Sequence, residues 1–106
     1  MRPVVPSPLS ADFSLAAESW GSRIETHCSY SATDIRRPIY NVGDQAYALY
    51  VTDRSGQPSV VATWSAAPGS RVDAVGTTRL RPQEIATVDI RSLVSGQVLL
   101  ASSLER

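Results

Sequence analysis

The sequence predicts an all-β protein, an antiparallel sandwich of immunoglobulin-like type with six to seven strands. Three observations support this fold class. Apolar and polar residues alternate along several segments, as they do in half-buried strands. Turn-forming residues interrupt these segments about every 8–12 residues. No amphipathic helix of three turns competes with the strands. The chain has 106 residues, which is the usual size of one domain with one core.

A proline-rich stretch precedes the first predicted strand. Each proline fixes its own φ angle and biases the residue before it toward extended geometry. We therefore interpret residues 1–10 as an extended linker and residues 11–106 as a single sandwich domain. The linker has one charge and no apolar centre, so it is not interpreted as a signal peptide.

The first two strands are predicted from alternation. Leu9–Ser19 has apolar residues at alternate positions and is interpreted as a strand. The alternative is a short helix capped by Ser10. From Trp20 onward the pattern is clearer, because an apolar face lies opposite a polar one. The apolar face carries Ile24, Thr26, Cys28 and Tyr30, and the polar face carries Arg23, Glu25, His27 and Ser29.

The middle of the chain is predicted to hold a central strand after a long connection. Residues 31–44 show little periodicity and form the connection. Gln45–Asp53 has apolar residues on both faces, which is typical of a central strand. Asp53–Gly56 has the composition of a hairpin turn, because aspartate accepts bonds from nearby backbone and glycine adopts positive φ. Pro58 then opens a strand that runs to Trp64.

The rest of the chain is predicted to add three strands. Pro68-Gly69 fits the middle of a type II turn. The strand Arg71–Thr77 follows, and its irregular apolar spacing indicates a bulge near Ala74. Arg81–Glu84 is predicted as one helical turn, since proline is tolerated where a helix starts. The closing strands are Ile85–Ile90 and Val98–Ala101.

Large aromatic residues are the main candidates for the core, because each can bury about 150–250 Å². They are Trp20, Tyr30, Tyr47 and Trp64. One cysteine excludes an internal disulfide, so the core is held by packing. We expect the substitution Trp64→Ala to cost roughly 3–5 kcal/mol of stability.

Composition disfavours several classes of function. Ten arginines balance ten carboxylates, so the chain lacks the excess of cations that nucleic-acid binding requires. No apolar run approaches the roughly 18 residues needed to cross a bilayer. The glycines are scattered, so no phosphate-binding loop is predicted.

Catalysis and metal binding are also disfavoured. His27 and Cys28 are adjacent, so on a strand they point to opposite faces and form no Cys–His dyad. One histidine and one cysteine cannot complete a zinc site, and no calcium-binding loop occurs. We therefore expect no enzyme activity, metal or cofactor. Three charged pairs are interpreted as solvent-facing ion pairs: Arg23 with Glu25, Arg71 with Asp73, and Asp89 with Arg91.

The long connection holds the one candidate recognition surface. It consists of Arg36, Arg37, Ile39 and Tyr40. Exposed arginine and tyrosine together are enriched at interface hot spots. The alternative is that Ile39 and Tyr40 anchor the connection on the sheet.

Several segments of the chain together resemble one known family. They are Trp20–Tyr30, Tyr47–Gly56, Ala62–Trp64 followed by Pro68-Gly69, and Ile85–Ile90. Across about residues 20–101 the chain resembles the C-terminal extracytoplasmic domain of actinobacterial membrane-anchored anti-sigma factors of the zinc-finger type. In that family a cytoplasmic domain holds the sigma factor and one helix crosses the membrane. This chain has neither feature, so no sigma-contact or zinc residue is carried over.

The resemblance implies a non-catalytic sensory or regulatory domain at the cell surface, whose binding or folding state governs proteolysis or release of a sigma factor. Membrane attachment would come only through an N-terminal helix outside this chain. The alternative is a secreted or surface-attached binding or adhesion sandwich without a signalling partner. The protein or small ligand that is bound is not predicted. Exposed strand edges would also allow a homodimer by sheet extension.

Overall fold

The computed structural model of the chain describes residues 1–5, 7, 9–30, 45–67 and 69–104. Strands dominate these residues, and one short 3-10 helix spans Pro82–Glu84. The strands are β1 (Arg2–Pro3), β2 (Leu9–Glu18), β3 (Gly21–Tyr30), β4 (Gln45–Asp53), β5 (Pro58–Ala66), β6 (Arg71–Thr78), β7 (Ile85–Ser92) and β8 (Val98–Ser103). No helix in the described part is long and apolar enough to cross a membrane.

The strands form two antiparallel sheets that pack together. One sheet has five strands in the order β1-β8-β7-β4-β5, and the other has three in the order β2-β3-β6. The predicted all-β class and the two packed antiparallel sheets are therefore confirmed. As predicted, β4 is a central strand, because it pairs with β5 on one side and β7 on the other.

The alternation predicted for β3 is confirmed by its burial. Ile24, Thr26, Cys28 and Tyr30 are buried, and the residues between them lie toward solvent. Thr26 is fully buried, and its hydroxyl is satisfied there because it donates a hydrogen bond to the Ala74 carbonyl at 2.9 Å. The segment Leu9–Ser19 is a strand rather than a helix, since β2 pairs with β3 along its whole length.

The core lies between the two sheets. Its fully buried aliphatic side chains are Ile24, Leu49, Val51, Ile85, Val88, Ile90 and Leu100. Tyr30 and Tyr47 are buried and Trp64 is half-buried, as expected for core residues. The expectation for Trp20 is wrong, because this side chain is 50% exposed. Trp20 lies in the tight turn between β2 and β3, where the chain reverses outside the core.

The bulge predicted near Ala74 is also wrong. The pairing of β3 with β6 continues without a shift from Ser29 and Arg71 to Ser22 and Thr78. The irregular apolar spacing arises because Val75 faces solvent, where it is 48% exposed, and Gly76 takes the inward position. A Cβ atom at Gly76 would lie 2.7 Å from the Val61 side chain. Val61 on β5 thus fills the space that a larger residue on β6 would occupy.

The predicted turns agree with the described residues. The Asp53 carboxylate accepts hydrogen bonds from the backbone amides of Ser55 and Gln57, at 2.9 and 3.0 Å. Gly56 adopts a φ of 92° in the same turn. The predicted helical turn is the 3-10 helix, and the Arg81 amide before it donates to the Glu84 carboxylate at 2.7 Å. Pro68 lies outside the described residues.

The first residues of the chain are attached to the edge of the five-stranded sheet. Arg2 and Pro3 pair with Ala101 and Leu100 of β8. The Val4 amide extends this pairing by donating to the Leu99 carbonyl at 2.8 Å. Within the segment predicted as a linker, some residues therefore form strand pairs. The division into linker and domain stays a prediction.

Candidate functional site

The candidate recognition residues Arg36, Arg37, Ile39 and Tyr40 lie outside the described residues. The described residues on either side, Tyr30 and Gln45, are the end of β3 and the start of β4. Both strand ends lie at one end of the sandwich, which we call the loop end. The candidate residues therefore belong to the chain segment that connects β3 of one sheet with β4 of the other.

Backbone hydrogen bonds fix both strand ends at the loop end. The Tyr30 amide donates to the Ser70 carbonyl, and the Gly69 amide donates to the Tyr30 carbonyl, each at 3.0 Å. On the other sheet, the Leu93 amide donates to the Ala46 carbonyl at 3.0 Å. The ends of β3 and β4 are thus tied to neighbouring turns.

Two apolar side chains are exposed at the loop end. Leu93 and Val94 lie in the turn that follows β7, and Val94 is 77% exposed. Because β7 is antiparallel to β4, this turn lies beside the start of β4. Binding residues are concentrated on loops of this kind, which makes the turn a candidate contact surface. The sequence alone does not mark Leu93 and Val94 as a contact surface, since two adjacent apolar residues also fit a buried strand end.

An aromatic cluster lies below the loop end and joins the two sheets. Tyr30 comes from the three-stranded sheet, and Tyr47 and Trp64 come from the five-stranded sheet. The Tyr30 and Tyr47 ring centroids are 5.0 Å apart, and those of Tyr47 and Trp64 are 6.4 Å apart. The Trp64 indole Nε1–H donates to the Tyr30 hydroxyl at 2.6 Å. Burial raises the pKa of Tyr30 above its usual value, so its hydroxyl stays protonated. The cluster gives the loop end a rigid base.

His27 and Cys28 point to opposite sides of β3, as the sequence predicts. Cys28 is 3% exposed in the core, whereas His27 is exposed on the outer face. Burial raises the pKa of the Cys28 thiol to about 11, so it is protonated at neutral pH and is a poor nucleophile. The two side chains do not form a catalytic dyad.

The outer face of the three-stranded sheet carries a row of charged residues. Asp12, His27 and Asp73 lie opposite one another on β2, β3 and β6. His27 Nδ1 and Asp73 Oδ1 are 3.0 Å apart. This hydrogen bond is the main cause that raises the pKa of His27, and the charges of Asp73, Asp12 and Glu25 add to it. Among the described residues, no group of three or more His, Cys, Asp or Glu is placed to hold a metal ion.

The three predicted ion pairs have different outcomes. Arg23 and Glu25 pair at 3.3 Å on the surface, as expected. Asp73 binds His27, and in the described part of the chain it forms no ion pair with Arg71, so that prediction is wrong. The imidazole lies directly opposite Asp73 in the register, which makes it the nearer partner.

The third pair, Asp89 with Arg91, forms as predicted, but it is not the solvent-facing ion pair that was expected. Asp89 is only 5% exposed. Arg91 Nε and Nη2 donate to its two carboxylate oxygens at 2.8 and 3.3 Å. The Arg91 guanidinium also lies 4.2 Å from the centre of the Tyr50 ring. The arginine is held by a carboxylate and an aromatic ring together, which anchors it on the outer face of the five-stranded sheet.

Comparison with known proteins finds similarity to an anti-sigma factor. The chain is similar to the anti-sigma-L factor RslA of Mycobacterium tuberculosis, in strains H37Rv, CDC 1551 and Erdman, with 33% identity over 96 residues. The match covers 91% of this chain and 36% of the relative. No family model matches the chain, and no solved structure matches it significantly. The chain is thus homologous to a domain-sized part of an anti-sigma factor, which confirms the predicted resemblance at that level.

Proposed function

We propose that the chain is a non-catalytic extracytoplasmic regulatory domain of an anti-sigma factor, and that binding of a ligand or partner to it controls release of the sigma factor. The observation that carries this proposal is the extent of the similarity. The relative is an anti-sigma factor, and the match takes in 91% of this chain. The homology to an anti-sigma factor also supports a non-catalytic role.

The fold assignment within the sandwich class is part of the proposal. In immunoglobulin-like sandwiches the strands A, B and E share one sheet, and C, F and G share the other. The order β2-β3-β6 corresponds to A, B and E, and β4-β7-β8 corresponds to C, F and G. This order supports an immunoglobulin-like assignment.

The proposed location follows from the family resemblance. An N-terminal helix outside this chain would cross the membrane, and a cytoplasmic domain beyond it would hold the sigma factor. The sandwich would then lie at the cell surface. The chain spans about a third of the length of the relatives it matches, 36%, which supports a further region of this kind.

The loop end is the proposed binding surface. The exposed turn at Leu93 and Val94 lies there, and the segment that carries the candidate residues Arg36, Arg37, Ile39 and Tyr40 starts and ends there, after Tyr30 and before Gln45. The aromatic cluster supports it, because a rigid base reduces the conformational entropy lost on binding. A ligand shifts a two-state equilibrium only by its differential affinity for the two states. The ligand must therefore bind more tightly to the form that releases the sigma factor, or to the form that retains it.

The test uses the full-length protein in cells, with a reporter gene under the cognate sigma factor. Deletion of residues 9–104 should leave sigma-factor binding intact and abolish the response of the reporter to the inducing condition. A double substitution, Arg36→Ala with Arg37→Ala, should weaken the response. The matched control is Arg79→Ala with Arg81→Ala, which removes two exposed arginines at the opposite end of the sandwich and should leave the response unchanged.

Two results would contradict the proposal. One is a normal response from the deletion variant. The other is failure of the full-length protein to recover a sigma factor on affinity purification, which would favour the alternative of a secreted or surface-attached adhesion domain.

A further inference from the structure

Among the described strands, β2 is paired on one side only. It pairs with β3 from Leu9 to Glu18 without a register shift, and no strand among the described residues lies on its other side. The Leu9 amide donates to the Ser7 hydroxyl at 3.3 Å, and the Tyr30 amide opposite donates to Ser70. These two residues therefore do not exchange hydrogen bonds. Because bonded pairs alternate along an antiparallel ladder, the amides and carbonyls of Ala11, Phe13 and Leu15 face the free edge.

The other sheet edges carry features that block pairing with a further strand. The edge of β8 is covered by β1. Strand β5 begins with Pro58 and has a register shift opposite Leu49 and Tyr50. Strand β6 begins with Arg71 and lies beside β5 of the other sheet. Strand β2 has no proline, bulge, lysine or arginine, and its only charged residues are Asp12 and Glu18 near its two ends; it therefore lacks most of the usual means of protecting an edge.

The side chains along the free edge are incompletely covered. Ala11, Phe13 and Leu15 point toward the core and pack against it, but they are only partly buried. Between them, Ser10, Asp12, Ser14 and Ala16 lie on the outer face. A strand added at this edge with apolar residues at alternate positions would cover Phe13 and Leu15. Its backbone would form hydrogen bonds with the free amides and carbonyls of β2.

We propose that the occupant of this edge is β2 of a second copy of the chain, paired antiparallel about a twofold axis. The two three-stranded sheets would join into one continuous sheet. Each copy offers the same free backbone groups and the same partly covered apolar row, so the edge is complementary to itself.

Charge favours a second copy as the partner. The chain has no net charge, so two copies do not repel each other at long range. A twofold axis at Phe13 places Asp12 opposite Ser14, and an axis at Ser14 places Asp12 opposite Ala16. In neither register do like charges face each other. An axis at Asp12 would oppose two carboxylates, which disfavours that register.

The test is the mass of the protein in solution, by sedimentation equilibrium from micromolar concentrations to about 1 mM. The wild-type chain should rise from its monomer mass of 11.4 kDa toward twice that value. Ser14→Glu places a new carboxylate opposite Asp12 or opposite itself in the two registers. We expect this variant to raise the Kd of the dimer about tenfold.

The matched control is Val75→Glu on β6. Ser14 and Val75 both lie directly opposite Glu25, on either side of β3, so both variants create the same repulsion within one chain. Similar melting temperatures for the two variants would verify that both are folded. Val75→Glu should dimerise like the wild-type chain. A wild-type chain that stays monomeric throughout, or equal weakening by both variants, would overturn the proposal.

Discussion

Trp64 and Tyr30 connect the two sheets through side chains as well as through packing. Because the Trp64 indole donates to the Tyr30 hydroxyl at 2.6 Å, we predict that Trp64→Phe costs about 1 kcal/mol for the lost hydrogen bond, in addition to any packing loss. Urea denaturation of Trp64→Phe, Tyr30→Phe and the double variant measures this coupling. Strictly additive losses would contradict the prediction, since they would mean that the two groups do not interact.

His27 is the only histidine in the sequence, so its titration can be assigned without ambiguity. Its pKa is raised mainly by the hydrogen bond to Asp73 and less by Asp12. We predict that Asp73→Asn lowers the pKa of His27 more than Asp12→Asn does, as measured by NMR titration of the imidazole. Equal shifts would contradict the geometry.

The pKa of His27 also determines how its contribution to the stability of the fold changes with pH. The folded-state value lies above the ordinary value of 6.5. The contribution to stability is therefore fully present below about pH 6.5 and is lost as the pH rises through the folded-state value. Asp73→Asn should therefore reduce the change in the free energy of unfolding with pH above about pH 6.5.

Sequence patterns predict which side of a strand a residue faces, but they do not predict what lies over it. The opposite orientation of His27 and Cys28 follows from the period of a strand. The burial of Asp89 on an outer face does not, because it depends on Arg91 and on Tyr50 of the neighbouring strand. Residues 31–44 show little periodicity and lie outside the described residues, so the candidate recognition surface stays a prediction.

The turn between β2 and β3 depends on a glycine. Gly21 has a φ of 147°, and a Cβ atom there would lie 2.0 Å from the Thr78 carbonyl oxygen. We predict that Gly21→Ala costs about 3 kcal/mol or more, because backbone strain and a clash with the backbone of β6 add together.

Gly96→Ala is the control for this prediction. Gly96 also has a positive φ, of 74°, but a Cβ atom there would meet nothing within 4 Å. This variant should cost about 1–2 kcal/mol from strain alone. Equal losses of unfolding free energy in urea would show that the contact with Thr78 is unimportant.

At the level of elements, alternation identifies strands well where one face is apolar and the other is polar, as in β3. It is misleading in β6, where Gly76 occupies an inward position because Val61 of another strand fills the space. The bulge expected near Ala74 came from this spacing. A pattern within one strand cannot show a side chain that enters from the next sheet.

Cys28 offers a probe of the stability of the whole molecule. Its thiol is buried and its pKa is raised to about 11. We predict that alkylation at neutral pH is slow in the folded protein and that its rate increases in low concentrations of urea in parallel with the unfolding equilibrium. A fast rate that is independent of urea would mean that the core opens locally around β3.

The order of strands in the sheets could not be derived from local patterns. Alternation and turn residues predict a sandwich, because two half-apolar sheets must cover each other. The pairing of β3 with β6, and of β4 with β7, joins segments that are distant along the chain. Such pairings depend on shape and packing across the whole core rather than on the composition of either strand.

The pairing of β1 with β8 brings the two ends of the described chain side by side. Arg2 lies opposite Ala101, and the Leu104 carbonyl accepts a hydrogen bond from Arg54 at 2.9 Å. A short peptide could therefore join Leu104 to Met1, and new termini could be opened in the exposed turn at Ser55 and Gly56. Such a circular permutant should keep both sheets, which makes the domain suitable for insertion into a loop of another protein.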